Sequence, residues 1–193
     1  MNASTETIPA RSPGRKPDHA LIAFLLELKE DDDRGTLSML RGALSSLPDR
    51  QRRAWRVMAR FGGIPDKNVH WAEAVRSVAG LLAHPKMQHQ HGGKSFGKAC
   101  TALLGDDERK SLWKADQPGP VSRRVQHLLA ASREEICDRV CLLGRRLAVE
   151  GTSLDFSRLL DDLCYWGDKV KARWAADFWG ADSQNEAAKE ASP

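Results

Sequence analysis

Apolar residues recur at three- and four-residue spacing through most of this 193-residue chain. No run alternates apolar and polar side chains between turn residues. That periodicity belongs to amphipathic helices and leaves no place for an extended sheet. The side chains agree: alanine and leucine total 46 residues, valine and isoleucine only 13. Straight-chain and alanine-rich segments favour helix, β-branched ones favour strand. The pattern therefore predicts an all-α chain of nine to ten helices.

The order of these helices follows from their punctuation. Residues 1–17 hold three prolines, one glycine and few apolar groups, and read as a disordered, mildly basic arm (Arg11, Arg15, Lys16). Leu21, Leu25 and Leu28 then repeat at helical spacing, with Asp18 as the expected N-cap. "EDDDRGTLSMLRGAL" gives an acidic turn and a second helix. Pro48 opens a third, which runs to the paired Gly62 and Gly63. A fourth covers roughly 68–83 and stops before Pro85, and "HPKMQHQHGG" reads as a loop. Helical pattern returns over 95–104 and 106–114. "DQPGP", 116–120, is the strongest break and separates an expected N-terminal lobe, 18–115, from a C-terminal lobe, 116–180, each a small helical bundle. Further helices are expected over 121–131 and 133–149, the second opened by a Ser132–Glu135 capping box and followed by Gly151. "LDFSRLLDDLCYW" forms the next, Gly167 closes it, and Asp168 is expected to cap the last. Residues 181–193 are polar and read as a flexible tail.

The stretch "WGDKVKARWAADFW", which contains the last helix, holds four of the six aromatic residues of its lobe. On a wheel of about 100° per residue, with Val170 at zero, Trp174 falls near 40° and Phe178 near 80°. These three form one apolar stripe. Lys169 and Arg173 flank it on one side and Lys171 on the other. The rings are thus expected in the core, with Trp166 in the same corner. Trp179 lies across the wheel and is the one ring expected outside. The cations are left at the surface.

The net charge of +4 is modest and no segment is a polybasic tail, so any anionic surface partner must meet cations assembled by folding. The stretch 50–60 holds Arg50, Arg52, Arg53, Arg56 and Arg60 and no acid. With Trp55 at the centre of the buried face and Met58 and Ala59 beside it, the arginines form a stripe along one flank. Like charges at i, i+4 repel by a few tenths of a kcal/mol, and phosphates or a partner's carboxylates would relieve that. Arginine suits a bidentate grip on phosphate. The stripe is equally compatible with a neighbouring subunit or with water.

Several chemistries are excluded. No apolar run reaches membrane-spanning length, and the N-terminal residues lack the apolar core of a secretory signal, so a cytoplasmic location is expected. Cys100, Cys137, Cys141 and Cys164 include no Cys-x-x-Cys pair, and Cys137 and Cys141 share one helix among apolar neighbours. They read as core residues rather than zinc ligands. His84, His89 and His91 sit in a polar loop. "HGGKS" lacks the first glycine of a phosphate loop, Gln88 standing in its place, and no strand precedes it. Asp161 and Asp162, considered as metal ligands of a nuclease, point about 100° apart on a helix. No nucleophile is paired with a base. Neither a catalytic residue nor a metal or other cofactor is expected.

A resemblance adds function. "LDF" at 154–156, the helix "LLDDLCYW" at 159–166 and the ending "RWAADF" at 173–178 resemble the CasB family, the small subunit of the type I-E Cascade CRISPR surveillance complex. "RGTLSMLRGAL" and "SFGKA" support it upstream, in the family's order, over roughly residues 20–180. The resemblance implies an all-helical, two-lobe fold and no enzymatic activity. It also implies a nucleic-acid-binding role beside the backbone and large subunits, with guide RNA, target DNA and its displaced strand, and a second copy of itself as partners. The cations it places on the basic surface are Arg41, Lys98, Arg123, Arg124, Lys169, Lys171 and Arg173. The family often carries a second arginine after Arg41, where this chain has Gly42. Arg52, Arg56 and Arg60 join the candidate set from periodicity alone. The expected function is R-loop stabilisation through sequence-independent phosphate contacts. The alternative is a structural helical adaptor whose basic stripes meet acidic protein partners.

Overall fold

A computed structural model describes residues 19–66, 68–112 and 118–180. Among them are ten α-helices: α1 (Ala20–Glu30), α2 (Arg34–Gly42), α3 (Pro48–Met58), α4 (Val69–Leu82), α5 (Phe96–Cys100), α6 (Asp106–Lys110), α7 (Pro120–Leu129), α8 (Ile136–Glu150), α9 (Phe156–Cys164) and α10 (Asp168–Trp179). The all-α expectation holds. A two-residue parallel pairing of β1 (Gln88–His89) with β2 (Ser153–Leu154) departs from it: β1 lies in the segment expected to be loop, and β2 takes in Leu154, the residue expected to open a helix.

Most boundaries sit where the punctuation puts them. Asp33 caps α2 by accepting from the Thr36 amide, Pro48 is the first residue of α3, and Gly151 ends α8 in the left-handed region at φ 69°. Two starts differ. α8 begins at Ile136, because a turn over 133–135 intervenes and Glu135 holds the Ser132 amide at only 3.4 Å. Asp168 is the first helical residue of α10 and makes no side-chain cap; Gly167 precedes it in extended backbone. Asp18 lies outside the described residues.

α4 is the axis of the fold. Its residues Ala72, Ala74, Val75, Ser77, Val78, Ala79, Gly80, Leu81 and Leu82 are all buried, so nearly its whole circumference meets protein. α1, α2 and α3 pack on it from the N-terminal half, and α8 and α9 from the C-terminal half. Small residues on α4 let the neighbours approach closely. One hydrophobic core results, running from Leu21 on α1 to Phe178 on α10.

α5 lies against α10. The contact is backbone to backbone: a Cβ on Gly97 would stand 2.4 Å from the Trp174 carbonyl oxygen. Val170, Trp174 and Phe178 are buried as the wheel predicts, and Trp166 joins them with its ring 5.0 Å from that of Trp174. Trp166 Nε1 donates to the Ala131 carbonyl. Trp179 corrects the expectation. It is half-buried against the core because its ring lies edge-on to the buried Phe178. Among the described residues the exposed ring is Tyr165.

The cysteines behave as small core residues. Burial pushes the Cys100 and Cys137 thiols up to about 12, and raises Cys141 as well.

Candidate nucleic-acid interface

α2, α3, α4 and α8 enclose a groove of about 970 Å³. Arg41 from α2, Arg50 and Arg53 from α3, and Arg145 from α8 line it together with His84, and none of its described lining residues is a carboxylate. Each helix brings one part. α2 points Arg41 at the C-terminus of α4, where its guanidinium donates to the Ala83 carbonyl at 3.0 Å. Arg145 donates to the Leu44 carbonyl from across 101 positions of sequence. A guanidinium has five N–H donors, so one backbone contact fixes each group and leaves a fork facing the groove.

Arg41 also lines a second cavity with Lys29 and Asp32, where Lys29 Nζ donates to the carbonyls of Leu82, His84 and Met87 at 3.1, 3.0 and 2.5 Å. Cations there answer the unpaired carbonyls of the α4 C-terminus. Burial and the nearby Arg41 hold the Lys29 ammonium below the usual lysine range. Burial, then Arg41, Lys29 and Lys86, hold the His84 imidazole below the usual histidine range. Its Nδ1 is buried and has no hydrogen-bond partner.

The rest of the α3 stripe is exposed but rotated from the wheel's prediction. Ala54 and Met58, not Trp55, carry the buried face, and Ala59 is exposed, because the helix tightens into a 3-10 turn at Ala59–Phe61. Arg52 pairs with Asp49 at 3.1 Å, an acid just outside the stretch. Arg60 lies over the Phe24 ring, 5.1 Å from its centroid, and beside Phe61. Arg56 is exposed and makes no ion pair among the described residues.

The remaining candidate cations lie on α5, α7 and α10, which pack against one another. Arg123 and Arg124 are exposed on α7, Arg124 Nη1 donating to the Pro120 carbonyl at 3.2 Å. Lys98 is half-buried on α5 and Lys169 is exposed on α10. Lys171 lies over the Trp166 ring at 5.5 Å. Arg173, on the same helix, is committed to the fold: it is ion-paired with the buried Asp162. Lys98, Arg123, Arg124, Lys169 and Lys171 thus sit on three helices that pack on one another, Arg124 on the side facing α8, while Arg41 lines the groove and Arg173 is ion-paired with Asp162.

α7 also meets α8 at a smaller cavity of about 330 Å³ lined by Arg124, His127, Arg139, Leu142 and Arg146. Leu142 is 61% exposed at its rim.

Sequence reasoning names Arg50 and Arg53 only as part of the stripe and misses Arg145 and His84 as groove residues. Nothing local marks Arg145, because its groove partners come from helices far away in sequence. Asp161 and Asp162 diverge as expected. Asp161 is exposed and bonded to His19 at 2.9 Å, while Asp162 turns inward. Among the described residues no group of side chains is placed to hold a metal ion, and no helix is long and apolar enough to cross a membrane. The "HGGKS" segment is an ordinary turn whose Gly92 amide is taken by Asp155 at 2.8 Å, with Ser95 capping α5.

Comparison with known proteins bears on the fold and the family. The curated CRISPR-associated protein Cse2 of Thermus thermophilus is 36% identical over 91 residues, which are 45% of this chain and 52% of that protein. The match thus spans about half the length of that relative. The crystal structure of a Cse2-family protein from Thermus thermophilus superposes with a TM-score of 0.61 at 28% identity, over 83% of this chain and 96% of the other. CasB from Thermus thermophilus gives 0.60 at 27%, over 83% and 98%. A chain of E. coli Cascade bound to a PAM-containing double-stranded DNA target gives 0.57 at 21%, over 87% and 97%, a likeness of fold. The family described as CRISPR-associated protein Cse2 matches residues 36–179. With three quarters of its length inside that match, the chain belongs to the Cse2 (CasB) family.

Proposed function

We propose that this chain is a non-catalytic, nucleic-acid-binding small subunit of a type I-E Cascade, and that it stabilises the R-loop by sequence-independent contacts to phosphate. The observation that carries the reading is the acid-free groove lined by Arg41, Arg50, Arg53 and Arg145. Unpaired guanidinium groups at close quarters repel, and a phosphate backbone relieves that repulsion while releasing counterions. Exchanging a DNA duplex for an RNA–DNA hybrid is nearly balanced, so a few such contacts decide its direction. Cations on rigid helices grip a backbone without reading bases. The α5–α7–α10 group extends the same surface chemistry. Partners in this reading are guide RNA, target DNA with its displaced strand, the backbone and large subunits, and a second copy of the chain, all in the cytoplasm.

Purification of a tagged copy from cells holding the other subunits tests this. Guide RNA and those subunits should accompany it, and the released chain should bind DNA or RNA weakly with a steep salt dependence. A chain that recovers neither subunits nor nucleic acid, and shifts no nucleic acid at low salt, overturns the proposal.

One observation favours the adaptor reading for part of the surface. Leu142, exposed and ringed by Arg124, His127, Arg139 and Arg146, has the apolar centre and charged rim of a protein contact. Assembly lost on Leu142→Asp, with nucleic-acid binding by the free chain intact, would assign that patch to a subunit.

A further inference from the structure

Tyr165 is the only tyrosine of the chain, and 78% of its surface is open to solvent. It is the most exposed large apolar residue among those described. The turn between α9 and α10 explains the exposure. Trp166 takes the inward direction, its ring against Trp174 and its Nε1 on the Ala131 carbonyl. The residue before it is left facing outward. A ring so placed contributes little to the fold, and nothing in packing requires an aromatic there.

The groups around the turn are three cations and two exposed acids, Asp161 and Asp168. Arg133 reaches the same turn and donates to the Cys164 carbonyl at 2.8 Å. Lys171 lies over Trp166, the next residue. Lys169 stands exposed at the start of α10. Asp161, one turn upstream, is engaged by His19. A lone exposed ring with ammonium and guanidinium groups beside it is the pairing that single strands use: the base stacks while the phosphates on either side meet cations.

Resting on the nucleic-acid reading above, we infer that Tyr165 is a stacking platform for one unpaired base of a single strand, flanked by Arg133, Lys169 and Lys171. The duplex offers no such face, because its bases are already stacked, so the site selects the unpaired strand over paired DNA.

The full chain is titrated with a single-stranded DNA of mixed sequence and with an abasic sugar-phosphate strand of the same length. Tyr165→Ala should weaken binding of the base-bearing strand about tenfold and leave the abasic strand unchanged. Tyr165→Phe, which keeps the ring, should match the unaltered chain. The exposed position keeps both variants folded, which circular dichroism checks. Equal losses on the two strands, or no loss on either, overturn the stacking site while leaving the phosphate reading intact. Failure of the unaltered chain to bind either strand overturns that reading and this one together.

Discussion

Trp174 Nε1 donates to Asp162 Oδ2 at 2.6 Å, joining α9 to α10 through the floor of the aromatic corner. The other oxygen of the same carboxylate pairs with Arg173. One buried acid thus orients the central indole and binds a cation that sequence alone assigns to the nucleic-acid surface. Asp162→Ala strands the indole N–H and leaves Arg173 without its partner. Removing one member of a buried pair costs about 3 kcal/mol, and Arg173, being partly exposed, keeps the loss at the low end of that range. Asp162→Asn, which still accepts from Trp174, should lose about 1 kcal/mol. Urea unfolding followed by tryptophan emission measures both, and an Ala variant as stable as the parent would contradict this account.

Gly97 fixes the distance between α5 and α10. An added methyl would meet backbone atoms of Trp174, not the end of a flexible side chain. Backbone cannot rotate away, so the helices must separate. Gly97→Ala should destabilise the chain by about 2–3 kcal/mol despite alanine's better helix propensity. Gly105→Ala, where a Cβ would meet nothing within 4 Å, is the control and should change the melting temperature little.

His84 sets a pH dependence. Its imidazole titrates below the usual histidine value because of burial, Arg41, Lys29 and Lys86. Below about pH 6.5 the unfolded chain therefore binds a proton that the folded chain refuses. Stability should fall as pH drops through that value, and His84→Gln should remove that part of the fall. Anion binding runs the other way. A phosphate in the groove favours the imidazolium, so affinity for a short oligonucleotide should rise on acidification in the parent and less in the variant. Identical pH profiles for the two would separate His84 from the groove.

The basic residues should sort by their present partners. Arg53→Ala, Arg123→Ala, Arg124→Ala and Lys171→Ala, if each group meets one phosphate, should each lower the log–log salt slope by about one. Arg173→Ala should leave the slope unchanged and lower stability instead, since its charge is already balanced by Asp162. A salt slope that responds to Arg173 and ignores the other four would reverse this assignment.

Much of the fold is legible in the sequence because it rests on local chemistry. Spacing places Val170, Trp174 and Phe178 on one stripe, and each is buried. Gly151 and Pro48 mark helix ends through backbone conformation that neighbours cannot change. The errors lie where neighbours decide. A wheel puts Trp179 outside because it describes one helix and ignores what packs on it. Trp55 gives way to Ala54 and Met58 where α3 meets α2 and α4.

The amino-acid sequence by itself determined the helices, their order and the inward turn of Trp166 and Trp174, since hydrophobic period, proline and glycine act over a few residues. Only tertiary structure decided which cations are available. It drew Arg173 onto Asp162, set Arg145 beside Arg41, Arg50 and Arg53, and left Tyr165 in the open. The physical reason is range: a charge is neutralised or concentrated by whatever lies within several ångströms, and folding supplies those neighbours from anywhere in the chain.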